Sequence, residues 1–221
     1  MPISLVIIEN LIFSNFNKGE QSTRGKTTFN YGDAKSASLN IYFILVFSLS
    51  EIILLVIKRS KRSSVKSRND RKSLLFLWIT ITSSLTIAYA FSWNQIRMSG
   101  RPTTLEIFGI VMFILGFVIR WIAIFQLGRM FTVDVSIANN HVLKTNGLYS
   151  MVRHPSYLGL LLILAGLSFL LNNLITSVII LPIFTAIIYR ISIEEKELLT
   201  EFGNQYRLYI YKIKKIIPLI Y

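Results

Sequence analysis

Long apolar runs separated by short polar stretches dominate most of the chain. The runs cover residues 39–57, 74–93, 105–127, 157–171 and 174–189. A helix rises about 1.5 Å per residue and the hydrocarbon core of a bilayer is about 30 Å thick, so runs of this kind are typical of membrane-spanning helices. The pattern predicts an all-α integral membrane protein with about five transmembrane helices.

The polar stretches between the runs divide the chain into three parts. Residues 1–37 form an N-terminal lead-in, whose stretch from residue 14 onward is polar and predicts a loop. Residues 38–104 hold the first two transmembrane helices and a basic loop, and residues 105–221 hold the candidate chemistry. Within this third part only Asn172 and Asn173 separate the last two runs, which predicts a tight helical hairpin. Pro182 should kink the fifth helix because it removes a backbone donor.

The strongly basic charge balance supports a membrane location. The chain has 24 Lys and Arg against 11 Asp and Glu, a net charge of +13. In a soluble protein this excess would suggest nucleic acid, but here it lies in short runs between apolar segments, so we expect membrane lipid and no nucleic acid. The loop 58–72 carries eight basic residues and should stay cytoplasmic. Alternation then places the loop 128–156 and the C-terminus in the cytoplasm as well.

Metal chemistry is not predicted. The chain has no cysteine and two histidines, His141 and His154, which excludes thiolate metal sites and a histidine-rich metal cage. Two other polar clusters are candidates for chemistry, one in residues 128–159 and one in residues 189–206. The first could equally be a solvated loop whose tyrosines lie among the lipid headgroups.

Three charged residues near the apolar runs leave alternatives open. Arg190 and Glu194 are four residues apart and share a helical face, so they could form a functional pair. They could also be a surface ion pair with a snorkelling arginine. Arg120 lies within an apolar run, where a charge is costly, and either a function or snorkelling would explain it.

The segment after the fifth run predicts an amphipathic helix that lies at the membrane interface or caps a cytoplasmic site. Its apolar side chains recur every three to four residues and charged residues occupy the other face. The apolar positions are Ile193, Leu198, Leu199, Phe202, Tyr206 and Tyr209.

Several motifs in fixed order resemble the isoprenylcysteine carboxyl methyltransferase family. They are His141-Val142-Leu143-Lys144, Gly147-Leu148-Tyr149, Arg153-His154-Pro155-Ser156-Tyr157-Leu158-Gly159, Arg190 with Glu194-Glu195, Phe202-Gly203-Asn204-Gln205-Tyr206, and Pro218. The resemblance covers about residues 115–218, and it makes residues 105–221 a candidate methyltransferase core. The first hundred residues resemble the family only as spans and loops.

The resemblance implies methyl transfer from S-adenosylmethionine to a lipophilic carboxylate. The cofactor-binding residues that it implies are His141, Val142, Leu143, Lys144, Tyr149, His154, Pro155, Ser156, Tyr157 and Glu194. Arg190 would lie beside the substrate carboxylate and act as the catalytic and substrate-binding residue. Lys144 replaces the family's usual apolar residue, so only its backbone role carries over. The loop 128–156 and the C-terminal amphipathic helix would form a cytoplasmic cofactor pocket.

Two other functions remain open at this stage. A membrane phospholipid or amine N-methyltransferase would share the architecture, but its amine acceptor must be neutral, and a carboxylate would be expected at the position of Arg190. A non-catalytic lipid-binding membrane protein would not bind S-adenosylmethionine.

Overall fold

The computed structural model describes residues 31–57, 68–93, 104–128, 143–171 and 174–217. Within these ranges the regular structure is helical. The α-helices are α1 (Tyr31–Ile57), α2 (Arg68–Trp93), α3 (Thr104–Leu127), α4 (Pro155–Leu170), α5 (Leu174–Phe202) and α6 (Asn204–Lys212), and a 3₁₀ turn covers Gly147–Ser150.

The helix positions confirm the five apolar runs and correct three boundaries. The first helix begins at Tyr31, so residues 31–37, which were expected to belong to the polar lead-in, are helical. The second helix begins at Arg68, so residues 68–72, which were expected to belong to the basic loop, are helical.

The fifth helix does not end with its apolar run but continues to Phe202, because no helix breaker occurs between residues 190 and 202. The expected amphipathic helix is therefore mostly an extension of α5. The break comes at Gly203, whose φ of 49° is in the region that favours glycine.

Two of the helical segments, Lys72–Phe91 and Thr104–Leu127, are long and apolar enough to cross a membrane. The apolar helical segments Leu39–Leu54 and Pro155–Leu170 are shorter. The number of five spans therefore stays a prediction. Many large apolar side chains point outward, and Phe125 is 72% exposed. Such surfaces suit lipid contact.

Four glycines allow α3 and α4 to pack backbone against backbone. Gly109 lies against Gly166, and Gly116 lies against Gly159. A Cβ added to Gly159 would come within 2.7 Å of the Gly116 carbonyl oxygen. Close approach through small residues is a common way for helices to pack in membranes. This contact fixes α4, which begins with the His-Pro motif, firmly against α3.

The other helices complete an apolar core around this pair. Helix α2 packs along α5, and α1 contacts α4. The core contains residues from all five long helices. Its buried members are Phe47, Leu77, Ile81, Phe113, Leu160, Ile163, Leu164, Leu167, Leu170, Ile183, Ala186, Ile187, Ile191 and Ile216.

Candidate active site

The motif residues of the first cluster are held in a turn just before α4. Gly147 adopts a φ of 64°, and the backbone N–H of Leu148 donates to Gln126 Oε1 of α3 at 2.9 Å. Pro155 occupies the first turn of α4, where its missing N–H costs nothing. The sequence indicated the turn and the proline, but it did not indicate the contribution of Gln126.

The C-terminal segment, residues 213–216, lies beside the residues that precede α4. Val152 and Lys214 form an isolated parallel bridge. The backbone N–H of Arg153 donates to the Lys214 carbonyl at 2.8 Å, and that of His154 donates to the Lys215 carbonyl at 3.0 Å. The Arg153 side chain also donates to the carbonyls of Ile210 and Ile213. The chain end therefore fixes the backbone of the His-Pro motif.

Glu195 of α5 joins three basic side chains. Arg153 Nη2 lies 2.8 Å from Glu195 Oε1, His154 Nε2 lies 3.3 Å from the same oxygen, and Lys215 Nζ lies 3.2 Å from Oε2. Burial by itself would raise the pKa of Glu195, but the hydrogen bonds of His154 and Arg153 outweigh it and lower the pKa to about 2. Glu195 is therefore an ionised structural centre, a role that the sequence did not indicate.

His154 lies between two adjacent glutamates. Its Nδ1 is 4.0 Å from Glu194 Oε1, while its Nε2 faces Glu195. Successive residues on a helix point about 100° apart, so the two carboxylates reach opposite sides of one buried imidazole. Glu194 keeps 29% of its side chain exposed, against 13% for Glu195. This difference leaves Glu194 the more accessible of the two carboxylates.

Arg190 is buried, which excludes the surface ion pair as an explanation. Its exposure is 1%, and its Nη1 donates to the Ser73 hydroxyl of α2 at 2.6 Å. The Tyr157 hydroxyl interacts with both Arg190 and Glu194. Tyr157 thus connects the residue expected at the substrate carboxylate with one expected at the cofactor.

Buried tyrosines surround this arrangement. The Tyr209 hydroxyl donates to the Tyr149 carbonyl at 2.5 Å, and the Tyr149 hydroxyl donates to the Ala123 carbonyl at 3.3 Å. Burial raises the pKa of Tyr149 well above its ordinary value, and the negative charge of Glu194 raises it further. Burial also raises the pKa of Tyr209 to about 12. These hydroxyls therefore stay protonated donors at neutral pH.

Arg120 is buried and paired, so it does not snorkel. Its Nε and Nη2 donate to the two carboxylate oxygens of Glu51 of α1, at 2.7 Å each. Its Nη1 donates to the Ser156 carbonyl at 3.0 Å. The Arg120–Glu51 pair thus supports the start of α4. The sequence did not indicate the pairing with Glu51, since 69 residues separate the two.

The structure describes most of the candidate residues. His141 and Val142 lie outside the described residues, as does most of the loop that was expected to cover the pocket. Leu143 and Lys144 are half-buried and precede the 3₁₀ turn. The residues that come together around Glu194 and the start of α4 are Tyr149, His154, Pro155, Ser156, Tyr157 and Arg190. Among the described residues, no group of three or more His, Asp or Glu side chains could hold a metal ion.

Comparison with known proteins shows which family this region is similar to. Residues 109–200 match the model of the isoprenylcysteine carboxyl methyltransferase family. These residues of the chain are therefore similar to that family. They contain the turn, the His-Pro motif, α4 and the glutamates of α5, so the family region coincides with the site described above.

Named relatives agree with this assignment. The protein-S-isoprenylcysteine O-methyltransferase of Schizosaccharomyces pombe is 37% identical over 109 residues, which cover 48% of this chain and 46% of the relative. The enzyme of the same name from Tribolium castaneum is 32% identical over 189 residues, covering 79% of this chain and 63% of the relative. The chain thus spans about half to two thirds of the length of these curated relatives.

A solved structure shares the fold. It is a eukaryotic intramembrane Ras methyltransferase of the isoprenylcysteine carboxyl methyltransferase type, with a TM-score of 0.59 and 26% identity, covering 87% of this chain and 70% of that one. Together with the apolar helices, this likeness makes the chain a membrane protein. The match extends beyond the family region, so the first two helices share the architecture as well.

Proposed function

We propose that the protein is an S-adenosylmethionine-dependent carboxyl O-methyltransferase acting on a lipophilic, isoprenylcysteine-like carboxylate at the membrane. One observation carries this proposal. Buried Arg190 and partly exposed Glu194, four residues apart on α5, are joined through Tyr157 at the start of α4. A group that can bind a carboxylate and a group that can bind a cation are thus next to each other.

The side chains around Glu194 fit S-adenosylmethionine. That cofactor carries a sulfonium and an ammonium, and a partly exposed carboxylate beside aromatic rings suits such cations. Glu194 is partly exposed and interacts electrostatically with Tyr149 and Tyr157. His154 Nδ1 lies 4.0 Å from the same carboxylate. When bound, the cofactor would supply an activated methyl group.

Arg190 fits the other reactant. A carboxylate is ionised near neutral pH, so the protein need not generate a stronger nucleophile. A guanidinium can orient it by two parallel hydrogen bonds. Arg190 is 1% exposed, and in such surroundings one fixed cation can hold the acceptor oxygen in line while water is excluded. Positioning, and not complete neutralisation, is the role that we assign to it.

The membrane setting favours the same chemistry. Methyl transfer from a cation to an anion gives two neutral products, so a site of low polarity favours it electrostatically. The site lies where α4 begins and where α5 passes from its apolar to its charged part. A lipid tail could stay in the bilayer while its carboxylate reaches Arg190. We place this site, with the C-terminus, on the cytoplasmic side because the segment 58–72 is so basic.

Labelled S-adenosylmethionine tests the proposal directly. Purified protein in lipid is incubated with the labelled methyl donor and a prenylcysteine analogue. We expect label in the lipid product that mild base releases, because methyl esters are base-labile. Base-stable label would instead indicate an amine acceptor, and no binding of the methyl donor would indicate a non-catalytic lipid-binding protein.

A further inference from the structure

We propose that Ser73 of α2 is a positioning residue that orients Arg190 for recognition of the acceptor carboxylate. This inference rests on the proposed function, since it assumes that Arg190 faces a carboxylate. Ser73 lies outside the region that matches the family model, residues 109–200. It would therefore make an early helix part of the substrate site.

The contact between Ser73 and Arg190 is short and fully buried. Arg190 Nη1 lies 2.6 Å from Ser73 Oγ, and the two residues are 117 positions apart in the chain. Ser73 is 0% exposed and Arg190 is 1% exposed. A buried hydrogen bond to a charged group is stronger than one between neutral groups, so it can select one orientation of a long and flexible side chain.

The hydrogen-bond acceptor of Arg190 differs in its chemistry from that of Arg120, another buried arginine. Arg120 meets Glu51, a carboxylate that takes two of its donors and compensates its charge. Ser73 offers Arg190 a hydroxyl oxygen, which takes one donor and brings no charge. A guanidinium has five N–H donors in a planar fork, so fixing one of them orients the others. Ser73 can thus orient Arg190 without adding a negative charge of its own.

The packing of α2 on α5 keeps the Ser73 hydroxyl in place. One turn beyond Ser73, the Phe76 ring meets the Tyr189 ring edge to face, with centroids 6.0 Å apart. Leu77 and Ile187 belong to the shared apolar core of the same two helices. Because these contacts hold the two helices together next to the hydrogen bond, the position of Ser73 Oγ is set by the fold.

Two ligands that differ only in the acceptor group test this role. The probes are a prenylcysteine analogue with its carboxylate and the same molecule as a carboxamide. Binding to full-length protein in lipid is measured for each probe without methyl donor, and the carboxylate preference is the ratio of the two affinities. We expect Ser73→Ala to lower this preference about tenfold and Ser73→Thr, which keeps a hydroxyl, to lower it less than about threefold.

Ser84→Ala is the matched control, because Ser84 is another buried serine of α2, and it should keep the wild-type preference. Ser73→Cys provides a second variant of nearly the same size if the alanine variant fails to fold. A wild-type carboxylate preference in Ser73→Ala or in Ser73→Cys would overturn the inference. An equal loss of affinity for the two probes would also overturn it. The measurement needs no turnover, so wild-type protein that prefers the carboxylate but transfers no methyl group would contradict the proposed function and leave the role of Ser73 standing.

Discussion

Glu51 accepts hydrogen bonds from two of the three guanidinium nitrogens of Arg120, Nε and Nη2, at 2.7 Å each, inside the helix bundle. The third nitrogen, Nη1, donates to the Ser156 carbonyl. The side chains of Arg120 and Glu51 are 9% and 5% exposed, respectively. One ion pair therefore joins α1, α3 and the first turn of α4, where the candidate cofactor residues begin.

Breaking this pair from one side should be strongly destabilising. Glu51→Gln leaves the Arg120 charge buried without its counterion, and we expect a loss of about 3–5 kcal/mol in the free energy of unfolding. Chemical unfolding in detergent micelles would measure it. The double variant Glu51→Met with Arg120→Met removes both charges and is the control, since it should recover most of the loss. A double variant that is no more stable than Glu51→Gln would contradict this explanation.

The helices were readable from sequence, while the polar contacts between them were not. Every apolar run is helical because run length and apolar composition are local properties. Glu51 lies within the first run, and the sequence did not indicate that it pairs with Arg120, because pairing over 69 residues depends on how the helices pack. The predicted end of the fifth helix was also wrong, because hydropathy marks where a span ends and not where its helix ends.

Adding one methyl group between α3 and α4 should disturb the same region. In Gly159→Ala the new Cβ would lie 2.6 Å from the Arg120 backbone nitrogen, and a backbone cannot give way as a flexible side chain does. We expect a loss of about 1–3 kcal/mol in stability from overpacking. Thermal unfolding measures it. Val111→Ala, on the exposed face of α3, should change stability by less than about 0.5 kcal/mol. Equal stability of the two variants would refute close backbone packing.

Two tyrosines of α6, one with and one without a hydrogen-bond partner, test the hydrogen bond that joins α6 to the 3₁₀ turn among the described residues. Tyr209→Phe removes the donor that reaches the Tyr149 carbonyl and leaves that oxygen buried, which should cost about 1–3 kcal/mol. Tyr206 is also buried, but among the described residues its hydroxyl has no hydrogen-bond partner. Tyr206→Phe should therefore leave the melting temperature unchanged or raise it. Equal destabilisation by the two substitutions would contradict these contacts.

Stability should fall in acid because Glu195 is ionised in the folded protein. Its pKa is lowered from 4.5 to about 2, so its contribution is complete above pH 4.5 and is lost as pH falls toward 2. The shift corresponds to stabilisation on the order of 3 kcal/mol. Glu195→Gln should be less stable than wild type at pH 6, and the difference should shrink between pH 4.5 and pH 2. Thermal unfolding at several pH values measures both proteins.

The matched substitution for this pH dependence is Glu201→Gln, which changes an exposed glutamate of the same helix and should follow the wild-type stability profile. A constant difference between Glu195→Gln and wild type from pH 6 to pH 2 would contradict the role of Glu195. Protonation of Glu195 in acid also removes an ion-pair partner from the C-terminal segment, because Lys215 of that segment is one of the three basic partners of Glu195.

The sequence led to most of the candidate site through the order of its motifs and not through geometry. It pointed to Arg190, His154 and Glu194, and these meet around Tyr157 and the start of α4. It did not point to Ser73 or Gln126, because a single serine or glutamine in a helix carries no motif and acquires its role only from the element packed against it. The contribution of His141 and Val142 stays a prediction.

Separating turnover from cofactor binding tests the division of roles within the site. Arg190→Ala should abolish methyl transfer, because the acceptor carboxylate loses the cation that orients it, while binding of S-adenosylmethionine persists. Glu194→Ala should instead weaken binding of S-adenosylmethionine, because it removes the partly exposed carboxylate between Tyr149 and Tyr157. His154→Ala should do the same. Calorimetric titration with S-adenosylmethionine and transfer of a labelled methyl group measure the two properties.

Arg190→Lys helps to separate charge from geometry: it keeps a cation but loses the planar fork, so partial activity would be expected if orientation is the main contribution. Retained methylation in Arg190→Ala would refute the assignment of Arg190, and unchanged cofactor affinity in Glu194→Ala would refute that of Glu194.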